Sequence, residues 1–261
     1  MVTAVPDVLA RIVEHKKLEL THIQPRRSSL EQQAANSAAT KRNFRQALMD
    51  RSPAIIAEAK KASPSKGLLA PGFDPAAIAR AYQAGGAAAL SVLTDERFFQ
   101  GSLADLAAAR AAAGLPVLRK DFTIDELHVI EAAAHDADAI LLIAAILTTS
   151  QLRRYRELAE TYGMAALVEV HNEDELDRAI ESGAAIVGVN NRDLHTFEVS
   201  LETSLRLAAR MPAPVLRVSE SGIHSAADIR SLHAAGYHAF LVGEHLMKAA
   251  DPTDALKCLL A

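Results

Sequence analysis

With 261 residues the chain suits one large domain, and a single barrel of roughly 250 residues is an ordinary outcome at that length. Half of it is hydrophobic but only 4% is aromatic, with no tryptophan, so a sizeable core must be packed with small aliphatic side chains. A formal net charge of −4 argues against a nucleic-acid partner, and the lone Cys258 excludes an internal disulfide and suits a reducing, cytoplasmic setting.

In chain order, Val8, Leu9, Ile12, Val13 and Leu20 recur at helical spacing. Arg11 interrupts this stretch and Glu14, His15, Lys16 and Lys17 follow it, which does not make a secretory signal. Residues 14–17 read as a solvated helix face. A polar stretch covers 26–42, and a short helical signal covers 44–49. Residues 1–50 are therefore expected to form an N-terminal helical extension packed on residues 51–261, not a second domain.

From Pro53 onward, short runs rich in Ala, Val, Ile and Leu alternate with helical segments. The runs cover 54–59, 88–93, 117–120, 139–144, 165–170, 186–190, 215–220 and 239–243. They lack in/out alternation, as expected of parallel strands covered on both faces. Helical periodicity covers 75–83, 103–112, 150–162 and 226–235, and glycines at 85–86, 114, 163, 183 and 236 lead into the next strand. The longest apolar run, 139–147, is about half of what a membrane-spanning helix needs. Eight strands with helical crossovers predict an α/β fold, a (β/α)8 TIM barrel with an N-terminal helical extension. The first strand-to-helix turn, Lys60-Lys61-Ala62-Ser63-Pro64-Ser65-Lys66-Gly67, is no dinucleotide fingerprint, which disfavours an open doubly wound sheet.

In such a barrel the chemistry sits at the C-terminal strand ends, and inward side chains recur every second residue. Glu58 and Lys60 end the first strand and share one face. Lys120 ends the third, Glu169 the fifth, Asn190 the sixth (before Asn191 and Arg192) and Glu220 the seventh. An isolated charge there is as readily a structural ion pair at the rim. Six polar groups on one rim are far harder to explain that way, because unpaired buried charge costs several kcal/mol or more. The last two strands end in Ser221-Gly222-Ile223 and Val242-Gly243-Glu244, each before a helix start. Backbone N–H groups at such turns hold anions, so a small phosphorylated substrate is expected. Residues 63–67 read either as a mobile lid or as an ordinary turn.

Several segments stand together at the strand ends: Ile56-Ala57-Glu58-Ala59-Lys60-Lys61-Ala62-Ser63-Pro64-Ser65-Lys66-Gly67, Ser91-Val92-Leu93-Thr94-Asp95 with Phe99-Gln100-Gly101-Ser102, and Arg119-Lys120-Asp121-Phe122. Further on come Glu169-Val170, Gly188-Val189-Asn190-Asn191-Arg192-Asp193-Leu194, Ser219-Glu220-Ser221-Gly222-Ile223 and Leu241-Val242-Gly243. On these segments, in this order, the chain resembles the indole-3-glycerol-phosphate synthase family. The resemblance implies ring closure, decarboxylation and dehydration of a carboxyphenylamino-deoxyribulose phosphate, with no metal or organic cofactor. It implies Lys120 as general acid, with a proton affinity lowered among neighbouring cations. Glu169 and Lys60 would form the acid/base pair of the dehydration, their roles left open. Glu58 and Asn190 would orient substrate and lysines, and Arg192 and Glu220 would support the network. Ser63, Gly222 and Gly243 would contact phosphate, and Phe122 and Leu141 would wall the aromatic ring. Ser221, Leu241 and Glu244 complete the substrate-contacting set. Glu244 stands where many members carry a small hydroxyl residue, so its side chain is expected to turn away from the phosphate.

The ten histidines show no metal-binding spacing, and His195 and His224 read as surface residues. Cys258 falls in an apolar helical pattern and is expected to pack in the core. One alternative is a barrel like phosphoribosylanthranilate isomerase, which needs a cysteine at the mouth. Another is a catalytically inactive barrel acting as an interaction protein. Sequence leaves the assembly at a monomer or a weak homo-oligomer.

Overall fold

The apolar runs pair in chain order into a closed barrel of eight parallel strands in the computed structural model, which describes residues 7–64 and 66–261. We label them β1 (Ala54–Ala59), β2 (Ala89–Leu93), β3 (Val117–Lys120), β4 (Ala139–Ile143), β5 (Ala165–Val170), β6 (Ile186–Asn190), β7 (Leu216–Glu220) and β8 (Ala239–Val242). Closure is visible at Ile56, which pairs with Leu241 of β8 on one side and Ala89 of β2 on the other. Every residue of β1, β2 and β4 is buried, which explains why these runs are apolar apart from Glu58 and Ser91. The fold is the (β/α)8 TIM barrel with helices around it.

Strand and helix bounds differ from the sequence reading by a residue or two. Helix Thr149–Thr161 starts where Thr148 and Gln151 form a reciprocal capping box. Of the glycines expected to end helices, Gly86, Gly163, Gly183 and Gly236 adopt positive φ. Gly85 instead closes helix Pro75–Gly85, where a Cβ would crowd Leu256 and Thr253.

The core has two compartments. Outside the barrel, Tyr82, Leu106, Leu127, Leu152 and Leu176 of the helices meet the strands. Inside, Ile56, Leu118, Leu141, Leu167, Val218 and Leu241 fill the cylinder. Phe44 and Leu48 of helix α3 (Phe44–Met49) join this inner cluster beside Ala54 and Ala88, stoppering the barrel where its strands begin.

Two other helices precede α3: α1 (Asp7–Ile23) and α2 (Arg27–Ser37). Residues 1–6 lie outside the described residues. Helix α2 occupies the stretch read only as polar, since Leu30 and Ala34 alone form its buried face, too few for a periodic signal. It packs on helix Glu126–Ala134. Residues 14–17 are not simply a solvated face, because Lys16 is only 2% exposed. Its ammonium reaches Asp121 at 2.8 Å and Asp95 at 3.0 Å, tying α1 to the barrel. Cys258 is exposed rather than core-packed: helix Pro252–Leu260 buries Leu256 and Leu259, and Cys258 sits off that face. Among the described residues no helix is long and apolar enough to cross a membrane.

Candidate active site

Strand alternation decides which charges enter the barrel. At the end of β3, Arg119 points outward and pairs with Glu131 at 2.9 Å, whereas Lys120, one residue on, points into the mouth. There it meets Glu169 of β5 at 2.9 Å and Glu220 of β7 at 3.8 Å. Across the mouth, Lys60 donates to Glu58 at 2.5 Å. A cavity of about 440 Å³ opens at these strand ends. Every residue singled out above lines it: Glu58, Lys60, Ser63, Lys120, Phe122 and Leu141, then Glu169, Asn190, Arg192 and Glu220, then Ser221, Gly222, Leu241, Gly243 and Glu244.

Proton affinities here follow from burial and neighbours. Burial alone would lower the proton affinity of Lys120, but Glu169, Glu220 and Glu58 outweigh it and hold the ammonium well above its ordinary range. This corrects the expectation of a lowered value, which rested on neighbouring cations; the groups that face Lys120 are carboxylates. For Glu169, burial favours the protonated form, yet Lys120 and His171 together keep it ionised, below the usual carboxylate range. Glu220 goes the other way: burial and the nearby Glu169 push it up to about 8. The two acids are thus driven in opposite directions, Glu169 toward the ionised form by Lys120 and His171 and Glu220 toward the protonated form by burial and Glu169.

Two glycines make room for these carboxylates. A Cβ at Gly243 would lie 2.3 Å from Glu58 Oε1, and one at Gly188 only 2.0 Å from Glu220 Oε1. Gly188 sits mid-strand in β6, where a glycine often marks such close approach, so that signal was available in the sequence.

The opposite side of the mouth is built from turns. Ser221 and Gly222 both adopt positive φ, and Gly243 caps helix Glu244–Met247. The Glu244 carboxylate accepts from Lys248 at 2.6 Å and lies 3.8 Å from Arg192, so its charge is directed to cations. The hydrogen bond from Lys248 holds it below the ordinary carboxylate range. Asn190 Oδ1 accepts from the Arg192 backbone N–H at 3.0 Å, which shapes the exit of β6. Ala62 pairs antiparallel with Leu68 and Ser63 with Gly67; Ser65 lies outside the described residues. His195 is exposed, and His224, though exposed, borders the cavity.

Sequence reasoning missed several neighbours. Leu9 and Ile12 of α1 line the cavity, as do Leu93, Phe99 and Ile143. His171, two residues beyond Glu169, stands between Glu169 and Glu175; the same i, i+2 rule that paired Glu58 with Lys60 points to it. Cys258 lies on the last helix and is not among the lining residues, so the mouth has no cysteine of the isomerase kind.

The family model for indole-3-glycerol phosphate synthase matches residues 9–259. An indole-3-glycerol phosphate synthase of Desulfotalea psychrophila is 52% identical over 252 residues, covering 96% of this chain and 97% of its own. One from Variovorax paradoxus is 48% identical over 264 residues, covering 97% and 99%. Among solved structures, a thiamine phosphate pyrophosphorylase from Pyrococcus furiosus superposes with a TM-score of 0.61 at 18% identity, covering 80% of this chain and 94% of its own. An N-acetylmannosamine-6-phosphate 2-epimerase from Clostridium perfringens gives 0.61 at 16%, covering 76% and 89%. These last two likenesses concern the fold alone.

Proposed function

The chain belongs to the indole-3-glycerol phosphate synthase family, and from that premise we propose how the charged groups at the barrel mouth divide the work of its reaction. The enzyme is a carbon–carbon lyase of tryptophan biosynthesis acting on a small phosphorylated substrate. It converts 1-(2-carboxyphenylamino)-1-deoxyribulose 5-phosphate to indole-3-glycerol phosphate, carbon dioxide and water.

The ring carbon that bears the carboxylate attacks the ketone, and the ketone oxygen must gain a proton as the bond forms. Lys120 donates it. The carboxylates around it keep it loaded, and the developing alkoxide, a much stronger base than any of them, draws the proton away. Loss of carbon dioxide then returns the electron pair to the ring and restores aromaticity. In the last step the hydroxyl leaves as water after taking a proton, and the neighbouring methylene carbon loses one. Glu169, held ionised, has no proton to give, so it accepts the methylene proton. Lys60, braced on Glu58, protonates the leaving hydroxyl. Asn190 and Glu58 orient the lysines and substrate, with Arg192 and Glu220 behind them. Ser63, Ser221 and the backbone N–H groups at Gly222 and Gly243 receive the phosphate, the Glu244 side chain being turned to Lys248. Phe122, Leu141 and Leu241 flank the aromatic ring. Lys16, joining α1 to the barrel, supports reading residues 1–50 as an extension of the 51–261 barrel, not a separate domain.

The sharing of Glu169 between Lys120 and His171 is the observation that most directly supports this division, since it separates the base from the acids. Lys120→Ala is expected to abolish both carbon dioxide release and indole fluorescence while the far-ultraviolet circular dichroism stays unchanged. Lys60→Gln, followed through a single turnover, should release carbon dioxide at a near-normal rate but form indole at least about 100-fold more slowly. Equal slowing of both signals by Lys60→Gln would move Lys60 to an earlier step.

A further inference from the structure

The imidazole of His171 stands between two carboxylates. Its Nδ1 is 2.9 Å from Glu175 Oε2, and its Nε2 is 3.4 Å from Glu169 Oε1. Glu175 is itself held in place: Oε2 also accepts from the His171 backbone N–H at 2.8 Å, and Oε1 accepts from Asn172 Nδ2 at 2.9 Å. Asn172 is the N-cap of helix Glu173–Glu181 and accepts from the Glu175 N–H. A continuous polar chain therefore runs from a helix start through Glu175 and His171 to Glu169. It ends at Lys120, which takes the other carboxylate oxygen, Oε2, at 2.9 Å.

The end of this chain is enclosed. His171 Nε2 is buried and, among the described residues, makes no hydrogen bond, stopping just short of one to Glu169. Groups facing the ring are Glu169 from β5 and Glu175 from the following helix, with Lys120 and Glu220 beyond Glu169. Burial pulls the proton affinity of the ring down, but the two flanking carboxylates prevail and raise it to about 9. Among the described residues the polar partners of the ring nitrogens are these two carboxylates, and such a residue is poorly explained as packing, because an apolar side chain of similar size avoids the desolvation cost.

We propose that His171 is a positioning residue for the reaction: braced on Glu175, it faces one oxygen of Glu169 as an ion pair at 3.4 Å and leaves the other facing Lys120 and the proton to be removed. The proposal rests on the assignment of Glu169 as the base. His171→Gln is expected to lower kcat at neutral pH at least about ten-fold, with KM changed less than about two-fold. Loss of the neighbouring cation raises the proton affinity of Glu169, so the acid limb of the kcat/KM profile should move to higher pH. Glu175→Gln leaves the imidazole but removes its bracing charge, and should move that limb in the same direction by less. Unchanged kcat and profile in His171→Gln would overturn the proposal. So would a variant that only loses stability or active fraction, its remaining activity keeping the wild-type profile. Should His171→Gln fail to fold, an unmoved profile in Glu175→Gln overturns it equally. Glu169→Gln, assayed in parallel, separates the two readings. Near-wild-type turnover there would remove the base assignment and this inference with it, whereas a collapse there beside an unaffected His171→Gln would remove the inference alone.

Discussion

Lys120 and Glu220 lie 3.8 Å apart in one enclosed mouth, and each is shifted upward by a different balance of forces. For Lys120 three carboxylates overcome burial; for Glu220 burial and Glu169 act together. Such balances depend on which residues meet in space, so the sequence showed the lysine and not its proton affinity. They also fix how stability responds to pH. Glu220 rises from 4.5 to about 8 and His171 from 6.5 to about 9, so the folded chain binds these protons more tightly than the unfolded one. Their contributions are fully present below 4.5 and 6.5 and are lost as pH climbs through about 8 and about 9. The urea midpoint is accordingly expected to fall between pH 7 and 9, more gently in Glu220→Gln. A wild-type midpoint that is flat over this range would contradict both shifts.

At the level of elements, the strands were legible and the N-terminal helices only partly so. A strand buried on both faces is written as an apolar run, and eight such runs stand out from their neighbours. Helix α2 buries two residues and leaves no comparable trace. Helix α1 was visible as a helix, but the role of Lys16 was not, since nothing local distinguishes a lysine that reaches Asp95 and Asp121 from one in water. Removing one partner of a buried charge cluster strands the others. Lys16→Met is therefore expected to destabilise the protein by about 3–5 kcal/mol in urea unfolding, leaving two buried carboxylates without their ammonium. Because Leu9 and Ile12 of the same helix line the cavity, KM should rise as α1 loosens. Hydrogen exchange confined to α1 would report that loosening; unchanged protection there would argue that other contacts hold the helix.

Across the whole molecule the two ends of the barrel divide stability from chemistry. Phe44 and Leu48 close the end where strands begin, and the charged cavity opens where they finish. Phe44→Ala should cost about 3–5 kcal/mol of folding stability while kcat and KM of the folded enzyme at low temperature stay near wild type. A large loss of kcat without a loss of stability would show that the two ends are coupled. The alternation of strand and helix, the strand ends that carry charge and the family to which the motifs point were all legible in the chain alone, because burial and turn chemistry act over a few residues and leave a local pattern. It took the closed fold to show that Lys120 faces carboxylates, that Gly188 and Gly243 yield space to Glu220 and Glu58, and that His171 and Lys16 stand among buried acids. Those contacts join residues tens to over a hundred positions apart, or turn on the direction of a single side chain. A mid-strand glycine and a two-residue spacing mark Gly188 and His171 as positions of interest, but they do not name the partner, since the energy of a buried charge is set by whatever the closed barrel brings within a few ångströms of it.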